Sequence, residues 1–442
     1  MTKWAPRGFE SFAVWFLIIF AGVTACSKNQ LHTVDLMPAP EVYADGSIDP
    51  FSKLVEDPRQ APGYDILYAT CRKPEIDGND YYSNERGLLL RLGRAKTETG
   101  PEGFSWEMVG RVSLLKNRTD RYPVKLSGID EIGILDRTVT VFTPTDLIPE
   151  NPDEAGRRFA ERINAKLAHS NRKDVFIYVH GYKVIFSNPI LVSAEIWHFL
   201  GYEGVFIAYA WPSTPSRWAY FSDIETAEIA SHNLRRLIEY LAEETGAERL
   251  HIIGYSAGTR MVANALHQLA LLHAKKGKIA VQRKVRIGHV ILLGSDLDRQ
   301  IFGAYLIDGL LNVAQSISVY VSTQDKALGL SQWLFKRQRL GQRWPELLSP
   351  QAIGYLNGTP NLQIIDVTGI EGSTEGNGHG YFRTSPWVSS DILMTLMHDL
   401  DPDERGLIRS PGDPEWRFPE DYITRLRTTL LERREKMEDF VP

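Results

Sequence analysis

Leu250-His251-Ile252-Ile253-Gly254-Tyr255-Ser256-Ala257-Gly258-Thr259-Arg260 is the stretch on which the reading of this chain turns. His251 to Ile253 form a short apolar run of strand character. From Arg260 to Ala274 the apolar residues recur at helical spacing. Between them stands G-x-S-x-G. A strand that turns directly into a helix holds such a serine on a sharp, strained bend, where flanking side chains would collide, so glycines stand on either side. The bend lifts the hydroxyl above the sheet edge, and the N-terminus of the following helix favours developing negative charge. The five-residue pattern is weak alone; its setting between strand and helix gives it weight.

Working outward, the chain from about residue 150 alternates strands with helices. The expected order is helix Asp153–Ala168, strand Val175–Val179, helix Pro189–Leu200, strand Val205–Ala210 and helix Ile224–Glu244. The strand at His251 and the helix over 257–274 follow. Then come strand His289–Leu293, helix Gln300–Leu310, strand Ile317–Val321, strand Leu362–Val367 and helix Pro386–Asp399. Short β-branched strands, each followed by an amphipathic helix, specify a mostly parallel central sheet with helices on both faces. Residues 61–150 are expected to be a β-rich lead-in, with strands at Tyr64–Thr70, Phe104–Leu114 and Thr138–Thr143 and a turn at Asp77–Asp80. The main domain is placed at 61–400. A C-terminal extension over 401–442 carries a helix near Pro419–Met437 whose stripe of Ile423, Leu426, Leu430 and Leu431 packs on the domain or on a partner.

A serine nucleophile needs a base and an acid, which in this strand-helix order follow it as acid and then histidine. His289 begins a strand and falls at the wrong end of the sheet, and His398 sits at the end of a helix. His379 lies in Glu375-Gly-Asn-Gly-His-Gly380, a loop just after the last strand, and catalytic groups of open parallel sheets gather outside the strands' carboxyl ends. Asp325 ends the segment Ser318–Asp325, two strands after the elbow strand, and is the expected acid. Asp296 and Asp298, one strand earlier, are the alternatives. Asp366 reads as structural and Asp391 as an exposed or capping helix residue. The oxyanion hole requires two backbone N–H groups. Ala257, following the nucleophile, supplies one, and Tyr182, after the strand end Val179-His180-Gly181, supplies the other. His180 precedes the serine and reads as structural. Trp218 and Tyr220, reached from Ala210-Trp-Pro-Ser213, either line an acyl pocket or pack a helix on the sheet. The basic run Lys336–Arg343, four of eight residues, is a solvated loop or meets anionic lipid heads.

With 442 residues, 43% of them apolar and 24% charged, the composition is that of a globular protein. The net charge of −5 provides no field for a polyanion, so nucleic acid is not an expected partner. The two cysteines, Cys26 and Cys71, are too few for a disulfide framework or a thiolate metal site. Lys3 and Arg7 precede a short apolar run, Phe12–Val23, and then Val23-Thr-Ala-Cys26. This is a signal peptide over 1–25 ending in a lipobox-like motif, with Cys26 lipidated and Ser27 in favour of outer-membrane sorting. The expected address is the cell envelope, lipid-anchored at the outer membrane and facing the periplasm. A flexible tether is expected over 26–60. Cys71 is expected to be buried.

Together, Leu67–Arg72, Val179–Tyr182, Tyr209–Ser213, Gly254–Gly258, Tyr320–Leu328 and His379–Phe382 make the chain resemble a bacterial family of α/β-hydrolase-like proteins of unknown function, of the esterase/lipase-superfamily type. The family often has Asp or Asn where Cys71 stands and Asn where Lys183 stands, and neither change touches the expected triad. The resemblance implies an α/β-hydrolase fold with a Ser256–His379–Asp325 triad and supplies no substrate. The expected activity is cleavage of a carboxylic ester, with a small-molecule or lipid-like acyl ester as the substrate, through an acyl-enzyme. Acyl transfer or thioester cleavage by the same triad, and a binding protein without activity, are the alternatives. The chemistry calls for no metal or organic cofactor.

Overall fold

The computed structural model describes residues 33–51, 63–75, 81–214, 220–344 and 348–438. The signal segment, Cys26, the turn at Asp77–Asp80, Trp218 and the side chain of Tyr220 lie outside what it describes. Among the described residues eleven strands form one sheet. In chain order these are β1 (Thr33–Asp35), β2 (Gly63–Pro74), β3 (Tyr82–Thr99), β4 (Pro123–Ile134), β5 (Asp174–Val179) and β6 (Val205–Tyr209), followed by β7 (Arg249–Tyr255), β8 (Ile287–Leu293), β9 (Ala314–Val321), β10 (Leu362–Asp366) and β11 (Glu415–Arg417). Their order across the sheet is β1-β4-β3-β2-β6-β5-β7-β8-β9-β10-β11. Every pairing from β2 through β11 is parallel; β1, β4 and β3 extend the sheet antiparallel from β2. The fold is the α/β-hydrolase type, with a β-rich N-terminal extension.

The central strands are apolar on both faces because helices cover both. In β5, Val175, Ile177 and Val179 join one core, while Phe176 and Tyr178 join the other. The first core holds helices α2 (Glu154–His169), α4 (Tyr220–Glu244) and α5 (Gly258–Leu272). The second holds α3 (Ser187–Phe199) and α11 (Pro386–His398). The chain leaves β5 for β6 on one side and returns to β7 on the other, so the strand order reverses at β5. Ligands of open α/β sheets bind at such a switch point, outside the strands' carboxyl ends.

Several expectations change. Phe104–Leu114 is helix α1 (Trp106–Ser113), not a strand. The Ser105 hydroxyl caps it by accepting from Met108 N–H at 3.2 Å, and Glu107 pairs with Arg111 one turn on. Thr138–Thr143 is not a strand either. Thr140 N–H donates to the Thr143 hydroxyl at 2.9 Å and Phe142 N–H to the Thr140 hydroxyl at 3.2 Å, and such local bonds compete with strand pairing. The β-structure of the lead-in lies in β3 and β4 instead. Residues 33–51, expected within a tether, pair and pack: β1 joins β4, and Ala39, Val42 and Tyr43 are buried. The tail beyond residue 401 is also built into the body. β11 pairs parallel with β10, and helix α12 (Tyr422–Glu438) buries Tyr422, Leu426 and Leu430 in the second core. Cys71 is buried.

Asp391, expected as an exposed or capping helix residue, is fully buried. It accepts from the buried Arg405 Nε at 2.7 Å and from Tyr320 Oη at 2.6 Å. Replacing Asp391 by Ala would strand a guanidinium in the core. The variant is expected to lose about 3–5 kcal/mol in denaturant unfolding; a loss under about 1 kcal/mol would show the pair to be hydrated.

At the amino end of the sheet, His251 stacks on His289 with centroids 5.2 Å apart, and His251 Nδ1 accepts from His289 N–H at 3.1 Å. Burial pushes His251 down to about 4 and His198 down to about 3, from 6.5. Both are therefore neutral in the native state, whereas the unfolded chain protonates them near 6.5. Between about pH 6.5 and 4 the unfolded state binds more protons, so stability is complete above that window and falls on acidification. Each is expected to contribute on the order of 1 kcal/mol per pH unit. Denaturant midpoints at pH 7 and pH 5 check this, and a midpoint that holds or rises at pH 5 would refute it.

Candidate active site

β7 runs to Tyr255, Ser256 and Ala257 form the turn, and α5 starts at Gly258. Ser256 has φ +53°, a left-handed conformation that costs a non-glycine residue on the order of 1 kcal/mol and marks a held bend. The two glycines of the motif have different reasons. A Cβ on Gly258 would lie 2.4 Å from the Val179 carbonyl oxygen and 2.5 Å from that of His180. A Cβ on Gly254 would press on Val262 at 3.0 Å and Thr259 at 3.3 Å, on the underlying helix. Across the switch point Gly181 approaches Ser256 so closely that its Cβ would sit 2.8 Å from Ser256 Cβ. The loop after β5 and the bend after β7 thus meet at Ser256, where Tyr182 and Ala257 line one hollow.

The next strands deliver the other groups. Asp325, after β9, is buried and has both oxygens engaged. Oδ1 accepts from Leu328 N–H at 3.0 Å, capping helix α8 (Lys326–Phe335), and Oδ2 accepts from His379 Nδ1 at 2.6 Å. An ionised carboxylate only accepts, so Nδ1 carries the proton and Nε2 keeps the basic lone pair. The Gly-rich loop after β10 reaches the acid by backbone contacts. Lys326 N–H donates to Asn377 O at 3.0 Å, and Gly378, at φ +68°, would clash with Gln324 O if it carried a Cβ. The imidazole rests 5.1 Å from the Tyr255 ring, centroid to centroid. The ring also lies against Gly294, after β8, whose neighbour Leu293 accepts the Ser256 N–H at 2.8 Å. Among the described residues no hydrogen bond joins Ser256 Oγ to His379. In unliganded enzymes this contact is often long and tightens with substrate.

The alternative residues have other work. Asp296 pairs with Arg260 at 2.8 Å and accepts from Ser331 Oγ at 2.5 Å; Asp298 caps helix α7 (Arg299–Ile307). His289 bonds Ser316 and Asp399 at the opposite end of the sheet. Asp366 closes a turn by accepting from Thr368 N–H at 2.9 Å. His180 is buried beneath the bend, stacked on Trp211 at 5.4 Å, with its ring nitrogens on the Gly181 and Trp211 carbonyls; burial pushes it down to about 3.

Four contributors were given no role in the sequence reading. Gly294 makes room for the imidazole. Tyr381 Oη accepts from Gly294 N–H at 2.6 Å and donates to Tyr320 O at 3.2 Å, pinning the backbone on which the ring rests. Arg72, fully buried in β2, donates to Val184 O at 2.6 Å, and the Ser213 hydroxyl brackets the same residue at 3.1 Å, so both hold the loop that carries Tyr182. A glycine directly after an apolar strand was the one available signal for Gly294.

A hydroxyl on a strained strand-to-helix bend, with an aspartate-bound imidazole delivered from later strands, places the protein among the α/β-hydrolases. The chain belongs to the family described as alpha/beta hydrolase of unknown function (DUF900), whose pattern matches residues 156–397, more than half its length. No curated protein matches it.

A Cβ at Gly294 would lie 2.8 Å from His379 Cε1. Gly294→Ala is therefore expected to displace the ring and to cost about 1–3 kcal/mol by overpacking. The wild type should show a downfield Nδ1 proton resonance from the Asp325–His379 bond, lost or moved in the variant. An unchanged resonance would show that the ring does not rest there.

Proposed function

We propose that the protein is a serine esterase that cleaves short-chain carboxylic esters through an acyl-enzyme. The observation that carries this is the 2.6 Å bond from His379 Nδ1 to a buried Asp325 beside a serine at φ +53°. Ser256 Oγ attacks the ester carbonyl as its proton passes to His379 Nε2. Asp325 holds the tautomer and stabilises the imidazolium. The N–H groups of Ala257 and Tyr182 receive the oxyanion, where the start of α5 adds a favourable dipole. The imidazolium then protonates the leaving alcohol, and water, deprotonated by the same nitrogen, releases the acid.

The hollow beside these donors supports a small acyl group. It measures about 200 Å³ and is lined by Tyr182, Trp211, Ala257 and Leu297, with Glu228 and Arg260 adding polar groups. Ligand pockets commonly span roughly 300–1,000 Å³, and the described hollow has room for a few carbons. Lipidation at Cys26 and residence at the outer membrane facing the periplasm belong to the same proposal and rest on the N-terminal sequence pattern alone.

A fluorophosphonate probe is expected to label the wild type and not Ser256→Ala. p-Nitrophenyl acetate and butyrate should be cleaved faster than the decanoate. Asp325→Asn, which permits the wrong imidazole tautomer, is expected to lower kcat by about 10⁴-fold. Absence of labelling and turnover in folded wild type would leave a hydrolase fold used for binding, and full activity in Asp325→Asn would remove that residue from the mechanism.

A further inference from the structure

Helix α8 starts on Asp325 and carries apolar side chains into water. Lys326, Leu330 and Trp333, at i, i+4 and i+7, share one helical face. Leu330 is 65% exposed and Trp333 75%. The helix is fixed from its other side, where Leu328 is buried and the Ser331 hydroxyl reaches Asp296. It ends at Lys336, in the left-handed conformation at φ +52°.

The basic run beyond it divides in two. Arg339 is buried against Asp296 and Arg343 pairs with Glu415, so both serve the fold. Lys336 and Arg337 are exposed, and among the described residues neither makes an ion pair. An open hollow of about 800 Å³ lies against Trp333, Lys336 and Arg337, rimmed by Gln332 and Gln338, with no carboxylate among the described residues of its lining. An indole and a leucine beside exposed cations match the boundary of an anionic bilayer. Trp favours the headgroup level, Leu the acyl edge, and Lys and Arg the phosphates. A face of this kind makes contact in the plane of a membrane surface.

We propose that this face of α8 docks on a bilayer of anionic phospholipid, with a headgroup phosphate held in the hollow between Lys336 and Arg337. Trp333 lies eight residues from Asp325, about 12 Å along the helix, so docking brings the mouth of the candidate site close to the lipid surface. The inference stands on exposure and charge and does not depend on the esterase reading.

Hydrogen exchange of the full chain, followed in peptides covering 326–338, tests it in the presence of phosphatidylcholine vesicles with and without phosphatidylglycerol. This local readout is indifferent to any attachment through the N-terminus. Exchange in these peptides should slow with phosphatidylglycerol, not with phosphatidylcholine alone, and recover in high salt. Each basic residue at an anionic surface contributes about fivefold to partitioning, so the double variant Lys336→Glu/Arg337→Glu should weaken the effect by more than about twentyfold. Leu330→Ser/Trp333→Ser should weaken it comparably. All four positions are exposed, and unchanged unfolding midpoints would verify folding. No protection with either vesicle, equal protection with both, or protection that follows protein concentration without vesicles would each overturn the proposal; the last would assign the face to a second copy of the chain.

Discussion

The contact between Gly258 and the carbonyls that end β5 is the constraint on which the site depends. With no side chain at residue 258, helix α5 begins in van der Waals contact with Val179 and His180. The strand pairing of β5 and β7 leaves Gly254 opposite Val179, so the turn between Gly254 and Gly258 has a fixed span to cover. Three residues fill it, and the middle one is forced to positive φ. The strain at Ser256 is the geometric consequence of a helix seated that tightly on a neighbouring strand. The same seating brings the bend at Ser256 against Gly181.

Delivery of the imidazole follows a different logic. No regular element carries His379. Its loop is knitted to the loop after β9 by short-range bonds: Lys326 N–H to Asn377 O, Thr323 N–H to the Thr368 hydroxyl at 3.1 Å, and Gly369 N–H to Gln324 Oε1 at 2.9 Å. Two loops leaving adjacent parallel strands are bound to each other before either reaches the serine. The His379–Asp325 pair is thus set locally, and its position relative to Ser256 depends on the register of β7, β8 and β9. Gly294 is where these two constructions meet.

What the sequence revealed and what it concealed follow from burial. The parallel strands are apolar on both faces, so β5 through β10 stood out, and the residues at their carboxyl ends could be placed by order alone. β3 and β4 have one face in water and read as polar, Gly-containing chain; Phe104–Leu114 is short and apolar enough to read as a strand, yet the Ser105 cap starts a helix there. The tether over 26–60 was inferred from Pro and polar content, yet Leu36, Met37, Ala39, Val42 and Tyr43 find a groove, and Met37 N–H is bound at 2.5 Å by Glu195 Oε1 from α3. Such a partner, 158 residues away, leaves no local trace. Asp391 was misplaced for the same reason, since its cation comes from Arg405 beyond the helix.

Arg72 shows why the N-terminal extension belongs to the site. Its strand pairs parallel with β6, and Thr70, two residues earlier, donates its hydroxyl to Ala210 O at 2.6 Å. From there the guanidinium crosses to Val184, next to Lys183, whose φ of +61° turns the loop back after Tyr182. Burying a guanidinium is costly unless its donors find acceptors. Here they include the Val184 carbonyl together with Ser83 O at 3.4 Å and Asn84 Oδ1, so the cation is stable only while the loop keeps its shape. A buried charge that requires a particular backbone conformation makes that conformation rigid. Strand β2 therefore acts as a buttress that, together with Ser213 after β6, holds the loop carrying Tyr182 in place.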